Sequence, residues 1–288
     1  MDTEVTIAGW VHSIRSQGKI TFVLIRDRTG IAQAVSENLE LKNYELRNET
    51  VVFVTGTVKE DSRAETGLEM RLSGVTVLSR PEKALPIIVN DKAEFQKLEL
   101  ETILNNRVLS LRNPVRNLIF KLQAEIIDSF RTFLREQGFT EVTTPKIIAS
   151  GTEGGTQLFT MDYFDKLAYL AQSPQFYKQM LVGAGYERVF EIGHVYRAEE
   201  HNTSRHLNEY ISLDYEMGFI ENEHDIMDME EAFIVYLFNR VNETLSPVLK
   251  QYNQTLPVPD RIPRIPVKEA CLILSRERSV PDSRKRVQ

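Results

Sequence analysis

Side chains that could bind a nucleotide are concentrated in Val195-Tyr196-Arg197-Ala198-Glu199-Glu200 and in the polar stretch that follows it. Arg197 stands at the end of an apolar strand predicted over 189–195, and Arg205 and His206 follow in a loop. The planar arginine fork meets phosphate oxygens in pairs and stays charged. These cations could therefore bind a polyphosphate, although the spacing is equally typical of a solvated hairpin.

The strand predicted over 210–219 has one polar face. Ile211, Leu213, Tyr215 and Met217 alternate with Ser212, Asp214 and Glu216, and alternate strand residues point to opposite faces of a sheet. A polar strand face next to Arg197 would form the floor of an anion site, with the cationic loop as its lid.

Two further segments could take part. In Gln172-Ser173-Pro174-Gln175-Phe176-Tyr177-Lys178, Gln175 and Lys178 share one face of a predicted helix, where an amide and an ammonium could hold the ends of a small zwitterion. In the segment 150–156, two glycines after Glu153 would permit a loop that opens and closes. A soluble helix face and an ordinary surface turn are the alternative interpretations.

The elements that must position these residues differ between the two halves of the chain. Strands predicted over 5–13, 20–26, 31–35, 51–59 and 68–78, with one helix over 37–47, indicate a small closed barrel of the OB type or a generic β domain in residues 1–80. Residues 81–108 are a predicted linker. Separate helices and strands over 109–274 predict an antiparallel α+β domain, with a helix that starts at Asn113-Pro114 and ends near Gly138.

Composition excludes several classes of protein. The single cysteine, Cys271, excludes an internal disulfide framework and a CxxC zinc site, and the net charge of −6 gives no global positive field for nucleic acid. The apolar run over 232–238 is too short to cross a bilayer, and the acidic start lacks the pattern of a signal peptide. We therefore expect a cytoplasmic protein without membrane contact.

The composition of the C-terminal segment differs from that of the rest of the chain. Residues 275–288 contain five basic and two acidic side chains, which predicts a disordered tail rather than a functional basic arm.

The three segments together resemble the class II aminoacyl-tRNA synthetases, and specifically the aspartyl enzymes of the archaeal and eukaryotic type, over residues 5–274. Residues 133–145 resemble motif 1, which forms the dimer interface in that family, and residues 196–216 resemble motif 2. Residues 152–156 match the mobile loop that covers bound aspartate. The resemblance implies an N-terminal OB-fold anticodon-binding barrel and an α+β catalytic domain, with an antiparallel sheet and flanking helices, that is incomplete at its C-terminus.

The resemblance also implies roles for individual residues. Arg197 would be the catalytic arginine that binds the α-phosphate of ATP and the substrate carboxylate. The implied ATP-binding residues are Arg197, Ala198, Glu199, Arg205, His206 and Leu207. The implied aspartate-binding residues are Glu153, Gln175, Lys178, Arg197 and Asp214. The implied anticodon-binding residues are Phe22, Gln33 and Glu69.

Partners and cofactors follow from the same resemblance. They are ATP with Mg²⁺, L-aspartate, tRNA for aspartate, and a second copy of the chain; whether tRNA for asparagine is also charged stays open. Lys178 favours aspartate, because an ammonium that faces a neutral amide would be desolvated without a partner.

The family pattern continues beyond residue 274 with motif 3 and the magnesium ligands, so no metal ligand is predicted in this chain. The basic tail matches nothing in that pattern, and we expect a truncated or frame-shifted product. Three functions are therefore open: an aspartate–tRNA ligase, a non-catalytic tRNA-binding chain, and an ATP-dependent aspartate-to-asparagine ligase.

Overall fold

The chain forms two compact units, Met1–Asn117 and Leu118–Gln288. The computed structural model describes residues 3–37, 41–62, 64, 67–152, 158–200, 203, 206–251 and 254–278. The boundary between the units lies after the predicted start of the second domain at residue 109. The segment predicted as a linker therefore belongs to the same unit as the strands before it.

Five strands of the first unit close into a barrel. They are β1 (Thr3–Gln17), β2 (Ile20–Arg26), β3 (Ile31–Ser36), β4 (Val51–Glu60) and β5 (Leu68–Ser79). Their order is β1-β2-β3-β5-β4, and only the β3–β5 pair is parallel. The predicted OB-type barrel is confirmed. The helix predicted over 37–47 is wrong in its extent: the described part is a 3-10 turn at Leu41–Tyr44, which ends where Glu45 takes a left-handed backbone (φ 46°).

Alternate strand residues fill the barrel, as the apolar–polar alternation predicts. The buried set comprises Val11, Val23, Ile25, Ala34, Leu41, Val52, Val54, Met70 and Val75. The intervening residues point outward, which leaves Phe22, Gln33 and Glu69 on the outer surface of the barrel.

The predicted linker contains three short helices, α1 (Lys92–Gln96), α2 (Leu100–Asn105) and α3 (Arg107–Ser110). The Asp91 side chain caps α1 by accepting from the backbone N–H groups of Ala93 and Glu94. The segment has its own small core, in which Leu98 and Leu109 pack against buried apolar side chains. It is therefore a folded part of the first unit rather than an extended connection.

A buried ion cluster joins the end of this segment to the barrel. The Glu49 side chain, 2 % exposed, accepts from Arg26 Nη1 and Nη2 at 3.0 and 2.8 Å and from Arg112 Nη1 at 2.7 Å. The guanidinium carbons of Arg26 and Arg112 lie 5.9 and 5.3 Å from the centre of the Trp10 ring. One carboxylate thus balances two cations in a site with little access to water.

Replacing Glu49 with glutamine should destabilise the first unit by about 3 kcal/mol, because the buried Arg26 guanidinium would lose its counter-charge. Glu45→Gln is the matched control, since Glu45 lies in the same loop with a left-handed backbone but is exposed; it should change stability by about 0.5 kcal/mol or less. Urea unfolding followed by the fluorescence of Trp10, the single tryptophan, measures both. Equal urea midpoints for the two variants would contradict the proposed role of Glu49.

Stability of the first unit should also fall in mild acid. Burial, and then the charge of Arg26, lower the pKa of His12 below its ordinary value of 6.5. The unfolded chain therefore binds a proton that the folded chain rejects. This stability is complete above about pH 6.5 and is lost below it, as the pH falls through the lowered pKa of the folded chain. The urea midpoint of the Trp10 transition should drop between about pH 7.5 and 5.5, and His12→Asn should reduce that drop. An unchanged pH dependence in the variant would assign the drop to other groups.

Twelve elements are described in the rest of the chain: a π-helical turn at Val182–Tyr186 and eleven further helices and strands. The eleven are α4 (Pro114–Glu136), β6 (Thr140–Glu141), β7 (Ile147–Ile148), β8 (Thr160–Tyr163), β9 (Lys166–Leu170), α5 (Gln175–Leu181), β10 (Arg188–Tyr196), β11 (Glu209–Met217), α6 (Glu223–Thr244), α7 (Ser246–Gln251) and α8 (Val267–Arg278). β10 pairs antiparallel with β11 and parallel with β6, and β7, β9 and β8 form a second, antiparallel sheet.

The core of the second unit lies between the β10–β11 pair and the long helices. Phe130, Phe133 and Leu134 of α4 pack with Phe139 and Phe190, and the apolar face of β11 covers them. As predicted, α4 starts at Pro114 and the chain turns at Gly138, whose φ is +81°. The strand predicted over 139–144 is only Thr140–Glu141, because Thr144 instead bonds to a side chain of β10.

Helix α8 runs past the predicted end of the second domain. Its last turn includes residues 275–278, and the Ser275 hydroxyl donates to the Cys271 carbonyl at 2.6 Å. The prediction of a disordered tail from residue 275 is thus wrong for these four residues, since the helix that begins at Val267 continues through them. Residues 279–288 lie outside the described part of the chain. In the described residues, none of the helices combines the length and the apolar character needed to span a bilayer.

Candidate active site

One face of the β10–β11 pair is polar, and the other belongs to the core. Leu213, Tyr215 and Met217 pack into the core, so the residues between them point the opposite way. The register sets Val195 opposite Tyr210, Gly193 opposite Ser212, Glu191 opposite Asp214 and Val189 opposite Glu216. The predicted polar face of the strand is therefore present.

Arg197 stands at one end of this face. Its backbone N–H donates to the Asn208 carbonyl at 2.9 Å, which extends the pairing of the two strands by one bond. Its guanidinium carbon lies 6.0 Å from the centre of the Tyr210 ring, a cation–π distance. Tyr210 thus supports the arginine. Sequence reasoning missed this residue, although its place in the alternation before Ser212 could have identified it.

A cluster of charged side chains occupies the other end of the same face. The Lys178 ammonium, on a side chain 9 % exposed, donates to the Asp214 carboxylate and lies 3.3 Å from Glu216 Oε2. The Gln175 amide nitrogen lies 3.5 Å from the same Glu216 oxygen. Helix α5 therefore brings Gln175 and Lys178 to Asp214, as predicted, and adds Glu216 to the set.

The pairing of Lys178 weakens one prediction. We expected its ammonium to lack a partner next to a neutral amide, but it already pairs with Asp214 and Glu216. The lysine charge alone therefore does not exclude an asparagine substrate. A zwitterion with a second carboxylate would instead exchange partners with the cluster: its ammonium would bind the acidic side chains and its carboxylate the lysine.

The loop after β10 is described only in part. His206 Nδ1 lies 2.6 Å from the Thr203 hydroxyl, and His206 Nε2 lies 3.7 Å from Glu199 Oε2. Two of the predicted ATP-binding side chains are thus neighbours, while Ala198 is partly buried and Leu207 is 66 % exposed. Arg205 and Glu153, two further predicted site residues, lie outside the described residues.

The outer surface of the barrel carries a second candidate site. The Gln33 amide donates to Glu69 Oε2 at 2.9 Å. Phe22 of β2 pairs in register with Arg15 of β1, and the same row continues through β3 to Arg71 of β5. Phe22 is half-buried and both arginines are exposed. An aromatic ring, a polar pair and two cations on one surface fit a single-stranded nucleic acid. Arg15 and Arg71 could be placed on this surface with Phe22 only from the strand register.

Within the described ranges, no three His, Cys, Asp or Glu side chains are grouped as metal ligands.

Two family models match the chain. The model of the class II tRNA synthetases (D, K and N) matches residues 99–288, and that of the OB-fold nucleic acid binding domain matches residues 5–78. The first match extends through the basic tail, so our prediction that the tail matches nothing in the family is wrong.

Relatives with printed functions agree with these models. An aspartate–tRNA(Asp/Asn) ligase from Methanopyrus kandleri is 47 % identical over 88 % of this chain and 60 % of its own length. An aspartate–tRNA(Asp) ligase from Pyrococcus horikoshii is 44 % identical over 94 % of this chain and 63 % of its own length. The asparaginyl-tRNA synthetase from Pyrococcus horikoshii, solved with asparaginyl-adenylate, has a TM-score of 0.85 at 32 % identity and covers 96 % of this chain and 64 % of its own.

The chain is shorter than these relatives, and spans about 60 % of the length of the curated relatives that it matches.

Proposed function

Because the chain belongs to the class II tRNA synthetases for aspartate, lysine and asparagine, we propose that it activates L-aspartate with ATP and transfers the aspartyl group to tRNA. The observation that carries this proposal is the polar face of the β10–β11 pair. It holds Arg197 at one end and Lys178 with Asp214 at the other. Adenylate formation requires a cation that binds the phosphate and a charged cluster that binds the zwitterionic amino acid.

In the first step, an oxygen of the aspartate α-carboxylate forms a bond to the α-phosphorus of ATP. The bond from that phosphorus to the bridging oxygen breaks, and pyrophosphate leaves with the electron pair. Arg197 balances the charge on the α-phosphoryl oxygens from a position held by Tyr210. Lys178 and Asp214 hold the amino acid so that its carboxylate faces the phosphorus.

In the second step, a ribose hydroxyl at the end of the tRNA attacks the carbonyl carbon of the adenylate. The ester bond forms, AMP leaves as the anhydride bond breaks, and the hydroxyl proton passes to solvent. No covalent bond to the protein is needed in either step. Class II synthetases in general use ATP with Mg²⁺ for this chemistry, and we assign no step to the metal.

The choice of aspartate rests on two observations. The curated relatives named as aspartate–tRNA ligases are 42–47 % identical to this chain. In addition, Lys178 can exchange its partner Asp214 for the second carboxylate of an aspartate, whereas an asparagine amide would leave the lysine where it is.

We assign the remaining residues by the same reasoning. Ala198, Glu199, Arg205, His206 and Leu207 bind ATP. Gln175 and Asp214 hold the amino group of aspartate, and Glu153 belongs to the loop that covers the amino acid. Residues 1–80 bind the anticodon of tRNA for aspartate, and residues 109–274 form the catalytic domain. Two copies associate through the motif 1 region, residues 133–145.

The barrel should bind tRNA by stacking on Phe22. Phe22→Ala should weaken tRNA binding by about 10-fold, because one base stacked on an aromatic ring contributes about 1–3 kcal/mol. Phe53→Ala is the matched control: Phe53 is 43 % exposed on β4, lies away from the Gln33–Glu69 pair and should not change affinity. Filter binding with tRNA for aspartate measures both. Equal losses in the two variants would remove the anticodon site from this surface.

The proposed activity is tested by exchange of labelled pyrophosphate into ATP. Exchange should depend on L-aspartate and should not occur with L-asparagine or L-lysine. Binding of tRNA without any aspartate-dependent exchange would contradict the ligase and support the non-catalytic alternative.

A further inference from the structure

A buried ion pair outside the predicted motifs lies on the polar sheet face. The Glu191 side chain, 4 % exposed, accepts from Lys146 Nζ at 2.9 Å and from the backbone N–H and hydroxyl of Thr144, each at 2.8 Å. The Lys146 ammonium also donates to the Thr144 hydroxyl at 3.2 Å. This carboxylate therefore fixes both the charge and the position of Lys146.

The pair lies between the two ends of the candidate active site. Glu191 is directly opposite Asp214, and Gly193, the next residue on that face, is opposite Ser212. A Cβ on Gly193 would lie 3.2 Å from Lys146 Nζ and 3.3 Å from Glu191 Oε1. The ammonium thus lies directly over the glycine, and it needs the space that the absent side chain leaves. Residues two apart on a strand are separated by about 7 Å, so Lys146 is close to Asp214 on the side toward Arg197.

Lys146 can still donate to a ligand. Its side chain is 24 % exposed, and an ammonium has three N–H donors. Among the described residues, Thr144 and Glu191 accept two of them. The third is available to an anion above the glycine.

A ligand that joins the two ends of the site must cross this position. In the proposed function, the amino group lies at Asp214 and the α-phosphate at Arg197, so the carboxyl–phosphoryl link between them passes over Gly193 and Ser212. We propose that Lys146 is a third substrate-binding cation, which donates to this link in the aspartyl adenylate, and that Glu191 is the residue that positions it. The inference rests on the proposed function and adds a residue to its site.

The test is the affinity for an aspartyl-sulfamoyl adenosine, a stable analogue of the adenylate, measured by calorimetry on the full chain. Lys146→Met should weaken binding by about 10-fold, because a hydrogen bond from a charged donor is lost. Lys146→Arg keeps the charge and should restore most of the affinity. Glu191→Gln keeps an amide oxygen that can accept from Lys146 and position it, but it leaves the lysine charge unbalanced. This variant should therefore bind the anionic analogue at least as tightly as the wild-type chain. Lys166→Met, at an exposed position in β9, is the control and should have no effect.

The direction of the affinity change in each variant distinguishes substrate binding by Lys146 from a purely structural role of the Lys146–Glu191 pair. A pair that only ties Thr144 to β10 would lose affinity to the same degree in Lys146→Met and Glu191→Gln, and that result would overturn the inference. Wild-type affinity in Lys146→Met would overturn it too, while leaving the proposed function intact. Absence of binding by the wild-type chain would overturn the proposed function, and the inference with it.

Discussion

Replacing Arg197 with alanine should lower aspartate-dependent ATP–pyrophosphate exchange by about 10²–10³-fold, the effect of removing one preorganised donor from a developing charge. The guanidinium lies at the end of the polar face against Tyr210, so it can balance the α-phosphoryl oxygens without moving. Because it acts mostly in the transition state, the loss should appear mainly in kcat rather than in the KM for aspartate.

The matched control for this change is Arg188→Ala. Arg188 begins the same strand but serves the opposite face, where it donates to the Gln137 carbonyl at 2.9 Å and lies over the Phe139 ring at 5.6 Å. Its loss should reduce stability and leave kcat close to the wild-type value. Equal losses of kcat in both variants, or normal exchange in Arg197→Ala, would contradict the role of Arg197.

Replacing Lys178 with methionine should destabilise the second unit and weaken the binding of L-aspartate. Asp214 and Glu216 would be left facing each other without a cation, in a site where the lysine side chain is 9 % exposed. Removing one partner of a buried pair costs about 3–5 kcal/mol. Without the ammonium, the affinity for L-aspartate should fall by about 100-fold.

Lys97→Met is the control for this variant, because Lys97 pairs with Glu94 at 2.7 Å on an exposed surface. An exposed pair contributes about 1 kcal/mol or less, so this change should leave both measurements nearly unchanged. Thermal unfolding by circular dichroism and calorimetric titration with L-aspartate provide the two measurements. If Lys178→Met binds aspartate normally, the second carboxylate of the substrate does not meet this lysine.

Features that depend on local sequence were predictable. The alternation in β11 identified its polar face, because one side of a half-buried strand must be apolar. Pro114 and Gly138 marked the ends of α4, because the backbone preferences of proline and glycine favour these positions whatever the neighbouring residues are. The helix predicted over 37–47 failed because a helical pattern of residue types does not reveal a left-handed backbone at Glu45.

Features that depend on distant contacts were not predictable. The contact of Thr144 with Glu191 joins residues 47 positions apart, and that of Lys178 with Asp214 joins residues 36 positions apart. Sequence patterns contain no information on which charge balances which. Lys178 was therefore expected to lack a partner next to a neutral amide, and Lys146 was not considered. The register of β10 and β11 relates the two lysines, because it sets Glu191, the partner of Lys146, directly opposite Asp214, the partner of Lys178.

The most direct test of the central claim is a crystal structure of the chain with an aspartyl-sulfamoyl adenosine. We predict that the Arg197 guanidinium contacts the sulfamoyl oxygens, while the Lys178 ammonium contacts the side-chain carboxylate of the same molecule. A complex in which the analogue lies away from the polar face of the β10–β11 pair, or touches only one of these two cations, would contradict the claim that this face is an adenylate-forming site.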